Sequence, residues 1–485
     1  MPGLLLFSSW FCLILVIAVL ARTFIERRQE LLSMRTFFLL GFAYFYLTAG
    51  ILFAAGFGAA APSEGQTLLA LAQPFFLAVY FLGEKLGGLF TPATKFVPNV
   101  AMNPSTPGLL VTIGILVTIS VASLIYTRGE FTAFGLIVFQ VRGALAATAV
   151  GLATYLLLAK RFNPIAWSIF FGVLILGSAA TLAGTSGRRG WLSVLLAIFW
   201  GWYYFRLRFH STGTIAAKAA IPAAIGVFLL LGYSAVRHKA DESTASSRLQ
   251  QIAEIVRNPR INTRAMIANL NQDTPYNTVF IMDFYPDYYD KHVFAGAFYA
   301  LVHPIPRGLW PEKPVGLGIE IEEQMGAQAN LAPGIIGHGW AEAQWFGIFY
   351  YALFFGVFVR FLDEVVRRYI WNPYVIAVMG CTLGNIFALP RGDTPLFFVN
   401  VAFSYLFLFV LLYAIRVTLG PVFAGFQAIY PAGVHHHGTD DETGYSPEEA
   451  VSDYGPDPYS TDPYDTAREE PEPPSAPRPA RSLWD

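Results

Sequence analysis

The chain is poor in charge: of its 485 residues only 13% are Asp, Glu, Lys or Arg. That is about half the fraction found in ordinary soluble domains. Cysteine is nearly absent, and Cys12 and Cys381 both lie inside apolar runs. Neither a disulfide framework nor a thiolate zinc site is therefore expected. The ten-residue alternating segments of a spanning β-barrel are missing as well. So are a Walker-type phosphate loop, an HExxH pair and a serine nucleophile elbow. An ATP-type site and a zinc peptidase centre have no support, and no cofactor or metal is expected. Nor is there a basic surface for a nucleic-acid partner.

What the chain has instead is apolar length. Hydrophobic residues make up 55% and aromatics 16%. A helix that crosses a bilayer needs about 20 apolar residues. Runs occur near 4–21, 37–61, 67–83, 107–126, 143–159, 164–183, 191–205, 214–234, 340–361, 373–389 and 395–415. They predict an all-α polytopic membrane protein with 11 transmembrane helices: eight in residues 1–236 and three in 338–416. The stretch 131–141 reads either as an interfacial helix or as the start of the fifth span. A large polar interruption, 237–337, separates the two sets, and 241–275 within it has amphipathic helical spacing. Residues 417–485 become acidic and proline-rich, with too little apolar surface for a core, so a disordered tail is expected. The first apolar run has its cations after it, which reads as a first span and not as a cleaved signal.

Orientation follows from the basic loops. Arg22, Arg27, Arg28 and Arg35 follow span one; Lys85 and Lys95, Lys160 and Arg161, Arg206 and Arg208, and Arg367 and Arg368 fill the next alternate loops. Lys and Arg in short loops favour the cytoplasm. The amino terminus and the 237–337 loop then lie outside and the tail inside. Two arginine-bearing loops, "GTSGRRG" (184–190) and "LPRGD" (389–393), fall on the outer side against that trend. Each is explained by snorkelling to lipid headgroups or by an anion site; two such loops together with Arg307 favour the anion site.

Arg307 and Lys313 lie in "HPIPRGLWPEKP" (303–314), where four prolines stiffen the backbone and Trp310 can anchor it at headgroup depth. Arginine's planar fork matches phosphate oxygens. Aromatics interleave with Asp283, Asp287, Asp290, His292 and His303 upstream, a composition that suits sugar rings and equally a bilayer interface. Downstream, His338 and Glu342 are four apart and share a helical face, with Trp345 continuing it. An ionisable residue at the end of a span is a functional candidate. His338 is a base or a helix cap on this reading. Arg142 is a further buried-cation candidate.

The segments "PRGLWPEKP", "APGIIGHGWAEAQWFGIFYYALFFGVFVRFLDEVVRR" and "LPRGD" together resemble the bacterial oligosaccharide repeat-unit polymerases, the O-antigen polymerase group. "GTSGRRG" is similar to that family's "S.R" loop. The resemblance covers roughly 105–416, with motifs confined to 184–190, 303–347 and 389–393. It implies a metal- and nucleotide-independent glycosyltransferase with a glycosyltransferase-C-like arrangement, in a bacterial inner membrane. The implied substrate is a polyprenyl-diphosphate-linked oligosaccharide, with membrane lipids and a chain-length regulator as further partners. Arg188, Arg189, Arg307, Lys313 and Arg391 would bind the diphosphate; Glu342, His338 and Asp393 would be the catalytic candidates. A ligase-type glycan transferase and a non-enzymatic lipid-oligosaccharide flippase are the competing readings.

Overall fold

The computed structural model describes residues 2–26, 30–57, 63–98, 100, 105–126, 133–182, 187–220, 272–289, 292–305, 308–326 and 331–429. All regular structure among them is helical. The elements are α1 (Pro2–Glu26), α2 (Met34–Phe57, with two π-helical stretches), α3 (Glu64–Gly87, continued by a 3₁₀ segment to Phe96), α4 (Thr106–Tyr126) and α5 (Ala133–Ala159). Then come α6 (Pro164–Leu182), α7 (Gly187–Phe205), α8 (Thr274–Phe284), α9 (Ala295–Val302) and α10 (Leu317–Met325). The last four are α11 (Gly334–Arg368), α12 (Pro373–Gly380), α13 (Leu383–Ala388) and α14 (Thr394–Ile429).

Eight of these helices are long and apolar enough to cross a membrane: α1 to α6, α11 and α14. Two further apolar stretches, Gly190–Phe205 and Pro373–Ala388, are shorter. Ten of the eleven predicted runs thus coincide with apolar helices, eight of them at spanning length. The eleventh, 214–234, lies mostly outside the described residues, as do the amphipathic stretch 241–271 and the tail from 430. Of the 131–141 stretch, residues from Ala133 form the first turns of α5, which continues to Ala159. Helix α14 also runs to Ile429, past the tail boundary expected at 416.

Packing is set by small residues. Gly83 of α3 faces the carbonyl of Leu353, and Gly356 of α11 faces the carbonyl of Tyr80, each too close to admit a Cβ. This reciprocal pair lets the two backbones meet. Close approach through small side chains is the usual basis of helix association in lipid, which offers no hydrophobic drive of its own. Around the crossing, Phe38, Phe42, Phe76, Tyr80 and Phe355 stack as a buried aromatic column. The outward faces of α1 and α6 carry exposed Phe7, Phe11, Ile14, Ile165, Phe171 and Ile175, as a lipid-facing surface requires.

The five basic loops meet at one end of the bundle. Arg206 donates to Leu158 O at 3.3 Å, Arg208 pairs with Glu30 at 3.7 Å, and Arg208 lies 4.3 Å over the Trp371 ring. Arg35 pairs with Glu84 at 3.0 Å. Asp363 accepts from the amides of Met34 (2.7 Å) and Arg35 (3.2 Å), closing the N-terminal turn of α2. Glu364 lies between Arg360 and Arg367.

Helix α11 is interrupted. Ala343 (φ −161°, ψ 31°) and Gln344 (φ 50°, ψ −127°) leave helical geometry. In a straight helix Gly339 and Gly347 would be about 12 Å apart. Here a methyl on Gly347 would collide with the Gly339 carbonyl, so the chain folds back and the short segment 334–342 packs beside the long one. Trp345 consequently leaves the His338 face expected from periodicity. It packs edge-on against Trp340 and Phe75, at 5.6 and 5.5 Å between ring centroids.

Candidate functional site

The short segment of α11 brings three ionisable side chains together. His338 Nε2 is 3.1 Å from Asp393 Oδ1, and His338 Nδ1 is 3.8 Å from Glu342 Oε1. The side chains of His338 and Glu342 are each 2% exposed and that of Asp393 12%. An imidazole enclosed between two carboxylates, deep in an apolar bundle, is costly to assemble unless its groups are paired or perform work. Residues 338 and 342 meet because four positions make just over one helical turn. Asp393 arrives through backbone contacts: Ile335 N donates to Pro390 O at 2.9 Å, which docks the "LPRGD" turn on the first turn of α11.

Both acids also hold short helices of the 237–337 segment. Gly296 N, in the first turn of α9, donates to Glu342 Oε1 at 2.8 Å. Gly318 N, in the first turn of α10, approaches Asp393 Oδ2 at 3.4 Å. A carboxylate at a helix N-terminus satisfies an orphan amide and matches the helix dipole. The glycines are required sterically: a Cβ on Gly296 would meet Glu342 Oε1 and the Tyr351 hydroxyl, and one on Gly316 would meet Asp393 Oδ2. Asp283 serves α3 likewise, accepting from Gly65 N at 2.7 Å. The acids that interleave with aromatics in the sequence thus include a helix cap.

Tyr351 is the residue that sequence reasoning missed. Its hydroxyl donates to Glu342 Oε1 at 2.9 Å and its buried ring lies 6.1 Å from that of His338. Nine positions along an unbroken helix would place it about 13 Å away on the opposite face. Only the break at Ala343–Gln344 brings it back. The only trace of that break in the sequence is the pair Gly339 and Gly347.

The wall behind the cluster is polar and well satisfied. Tyr46 OH accepts from Ile336 N at 3.0 Å and bonds to Thr278 Oγ1 at 3.2 Å, and Thr278 Oγ1 donates to Pro333 O at 3.0 Å. Trp340 Nε1 donates to Tyr285 O at 3.1 Å. Tyr285, outside the spans, gives its own hydroxyl to Gln324 at 3.0 Å, and burial pushes its phenol up to about 12. It remains a donor at neutral pH.

The predicted cations divide. Arg391, on the same turn as Asp393, pairs with Asp273 at 3.0 Å and lies 5.6 Å over the Phe45 ring. The Lys313 ammonium is buried and donates to His303 O (3.0 Å) and Ile305 O (2.7 Å), tying together the ends of the proline-rich segment. Arg307 and the side chains of Arg188 and Arg189 lie outside the described residues. The backbone still places the last pair. Gly384 N donates to Ser193 Oγ at 3.1 Å and Trp200 Nε1 to Ile376 O at 2.9 Å, so the Pro373–Ala388 stretch runs antiparallel to α7. Residues 188–189 lie about one turn before Ser193 in α7, and Arg391 lies in the turn that follows α13, toward the same end. The turn of buried Arg142 joins them, since Gly143 packs on Gly190 of α7. Among the described residues no group of three or more His, Cys, Asp or Glu is arranged to hold a metal ion.

Comparison of the chain with family models, with characterised proteins and with solved structures returned no match.

Proposed function

We propose that this protein is a membrane glycosyltransferase that joins lipid-diphosphate-linked oligosaccharide repeat units at the bundle end bearing His338. The observation that carries the reading is the convergence of His338, Glu342 and Asp393. These are base candidates from two sequence motifs, His338 and Glu342 on α11 and Asp393, 55 residues after His338, on the turn that also carries Arg391. The chemistry asks for such groups. A carboxylate or imidazole takes the proton from the acceptor sugar hydroxyl, a contribution of about 10²–10⁴ in rate. On this reading, arginines at the same end of the bundle would meet the charge that develops on the departing diphosphate. Because that diphosphate is already a good leaving group, no nucleotide is required.

The end that carries the five basic loops is the cytoplasmic one on this reading, which puts the His338 end outside a bacterial inner membrane. The two native cysteines are buried and Tyr288 is exposed at the His338 end. Tyr288→Cys should therefore react with a membrane-impermeant thiol reagent in intact cells or spheroplasts. Labelling only after lysis reverses the topology.

Glycan analysis in a deletion strain tests the activity. Single repeat units in place of polymer support a polymerase. Intact polymer that stays on its lipid carrier indicates a ligase. A buried histidine between acids is also the equipment of proton-coupled carriers, and lipid-linked units trapped on the cytoplasmic face would indicate transport.

A further inference from the structure

The contacts of Glu342 are lopsided. Gly296 N, the Tyr351 hydroxyl and His338 Nδ1 all approach Oε1, at 2.8, 2.9 and 3.8 Å. None of the described residues donates to Oε2. One oxygen of a buried carboxylate is thus fixed by a backbone amide and a phenol, and the other has no donor among the described residues. Asp393 is built differently: His338 holds Oδ1, the first turn of α10 approaches Oδ2, and the side chain is more exposed.

From this geometry we infer that Glu342 is the base of the proposed transfer, acting through Oε2, and that Tyr351 is its positioning residue. The inference rests on the transfer reading above. In the step, the acceptor sugar hydroxyl gives its proton to Glu342 Oε2 and its oxygen bonds to the anomeric carbon of the donor. The bond from that carbon to the lipid diphosphate breaks, and the diphosphate leaves with the bonding electron pair. Tyr351 touches neither sugar. Its hydroxyl, with the Gly296 amide, prevents rotation of the carboxylate, so that Oε2 presents the same lone pair at every turnover. A misplacement of about 1 Å in such a group can cost about 10²-fold in rate.

Tyr351→Phe keeps the ring, which stacks on Phe355 at 6.3 Å, and removes only the hydroxyl. The purified full-length protein would be assayed with lipid-linked oligosaccharide isolated from cells lacking it, following the lipid diphosphate released. The expected result is a fall in kcat of about ten- to one-hundredfold with KM little changed. A second readout is spectroscopic. Infrared difference spectra against Glu342→Gln isolate the carboxylate bands of Glu342, and Tyr351→Phe should shift those bands. Should Tyr351→Phe fail to accumulate, Gly296→Ala takes its place, because its methyl must push the carboxylate aside, and the same losses are expected. Unmoved bands, an unchanged rate, or a loss confined to KM overturns the inference while leaving the transfer reading intact. A wild-type protein that releases no lipid diphosphate sinks the transfer reading, and the base assignment falls with it.

Discussion

Helix α11 carries a polar cluster at each end, and the two are built to opposite specifications. At Asp363 and Glu364, acids meet arginines: Arg360 and Arg367 flank Glu364, and Arg35 holds Glu84 close by. At Glu342, on the other side of the helix break, the acids meet a histidine, backbone amides and a phenol. Both ends use the same local device, a carboxylate closing the N-terminus of another helix. Asp363 does so for α2, Glu342 for α9 and Asp393 for α10. The difference lies in the counter-ion. Arginine stays charged under all physiological conditions and makes a lasting ion pair. Histidine is the side chain that changes charge with modest changes in its surroundings. Capping is thus common to both ends, and the counter-ion is what separates them.

The largest expected effect breaks this comparison most directly. His338→Ala removes the imidazole from between two carboxylates, unseats both, and should lower transfer by about 10²-fold or more in protein that still accumulates. A variant that polymerises normally would make the His338 end as structural as the Asp363 end.

Next comes the converse. Asp363→Ala strips two amide partners from the first turn of α2 and should cost about 1–2 kcal/mol of stability, read as a lowered thermal midpoint in detergent. Its rate per folded molecule should stay near that of the wild type. A loss of rate at unchanged stability would instead tie the arginine-rich end to the chemistry.

The helices and the physical clustering of the five basic loops follow from apolar length and loop charge. The pairing of His338 with Glu342 follows from helical spacing. Asp393 was reached only through motif resemblance, because no local pattern links it to a residue 55 positions earlier. Tyr351 was out of reach, since periodicity assumes an unbroken helix and α11 breaks between Glu342 and Tyr351. Lys313 shows a different limit. Its charge suggests a phosphate ligand, and the contacts of its ammonium with two carbonyls of its own loop cannot be read from composition.

The smallest expected effects concern Arg391, whose two possible duties separate cleanly. It forms an ion pair with Asp273, but the two side chains are 29% and 39% exposed, and an exposed pair of this kind is worth about 0–1 kcal/mol. If Arg391 faces the departing diphosphate, the planar fork matters and Arg391→Lys should lower transfer about tenfold, since lysine cannot reproduce bidentate contact. Asp273→Asn then removes the ion pair while leaving the guanidinium in place, and should change transfer less than about twofold and stability by under about 1 kcal/mol. Equal losses in the two variants would mean that Arg391 matters only through Asp273, as a brace between the "LPRGD" turn and the start of α8. The anion site would then have to be built from the other cations at this end of the bundle. A tenfold loss for Arg391→Lys beside a near-silent Asp273→Asn would place a diphosphate-binding arginine on the same turn as Asp393.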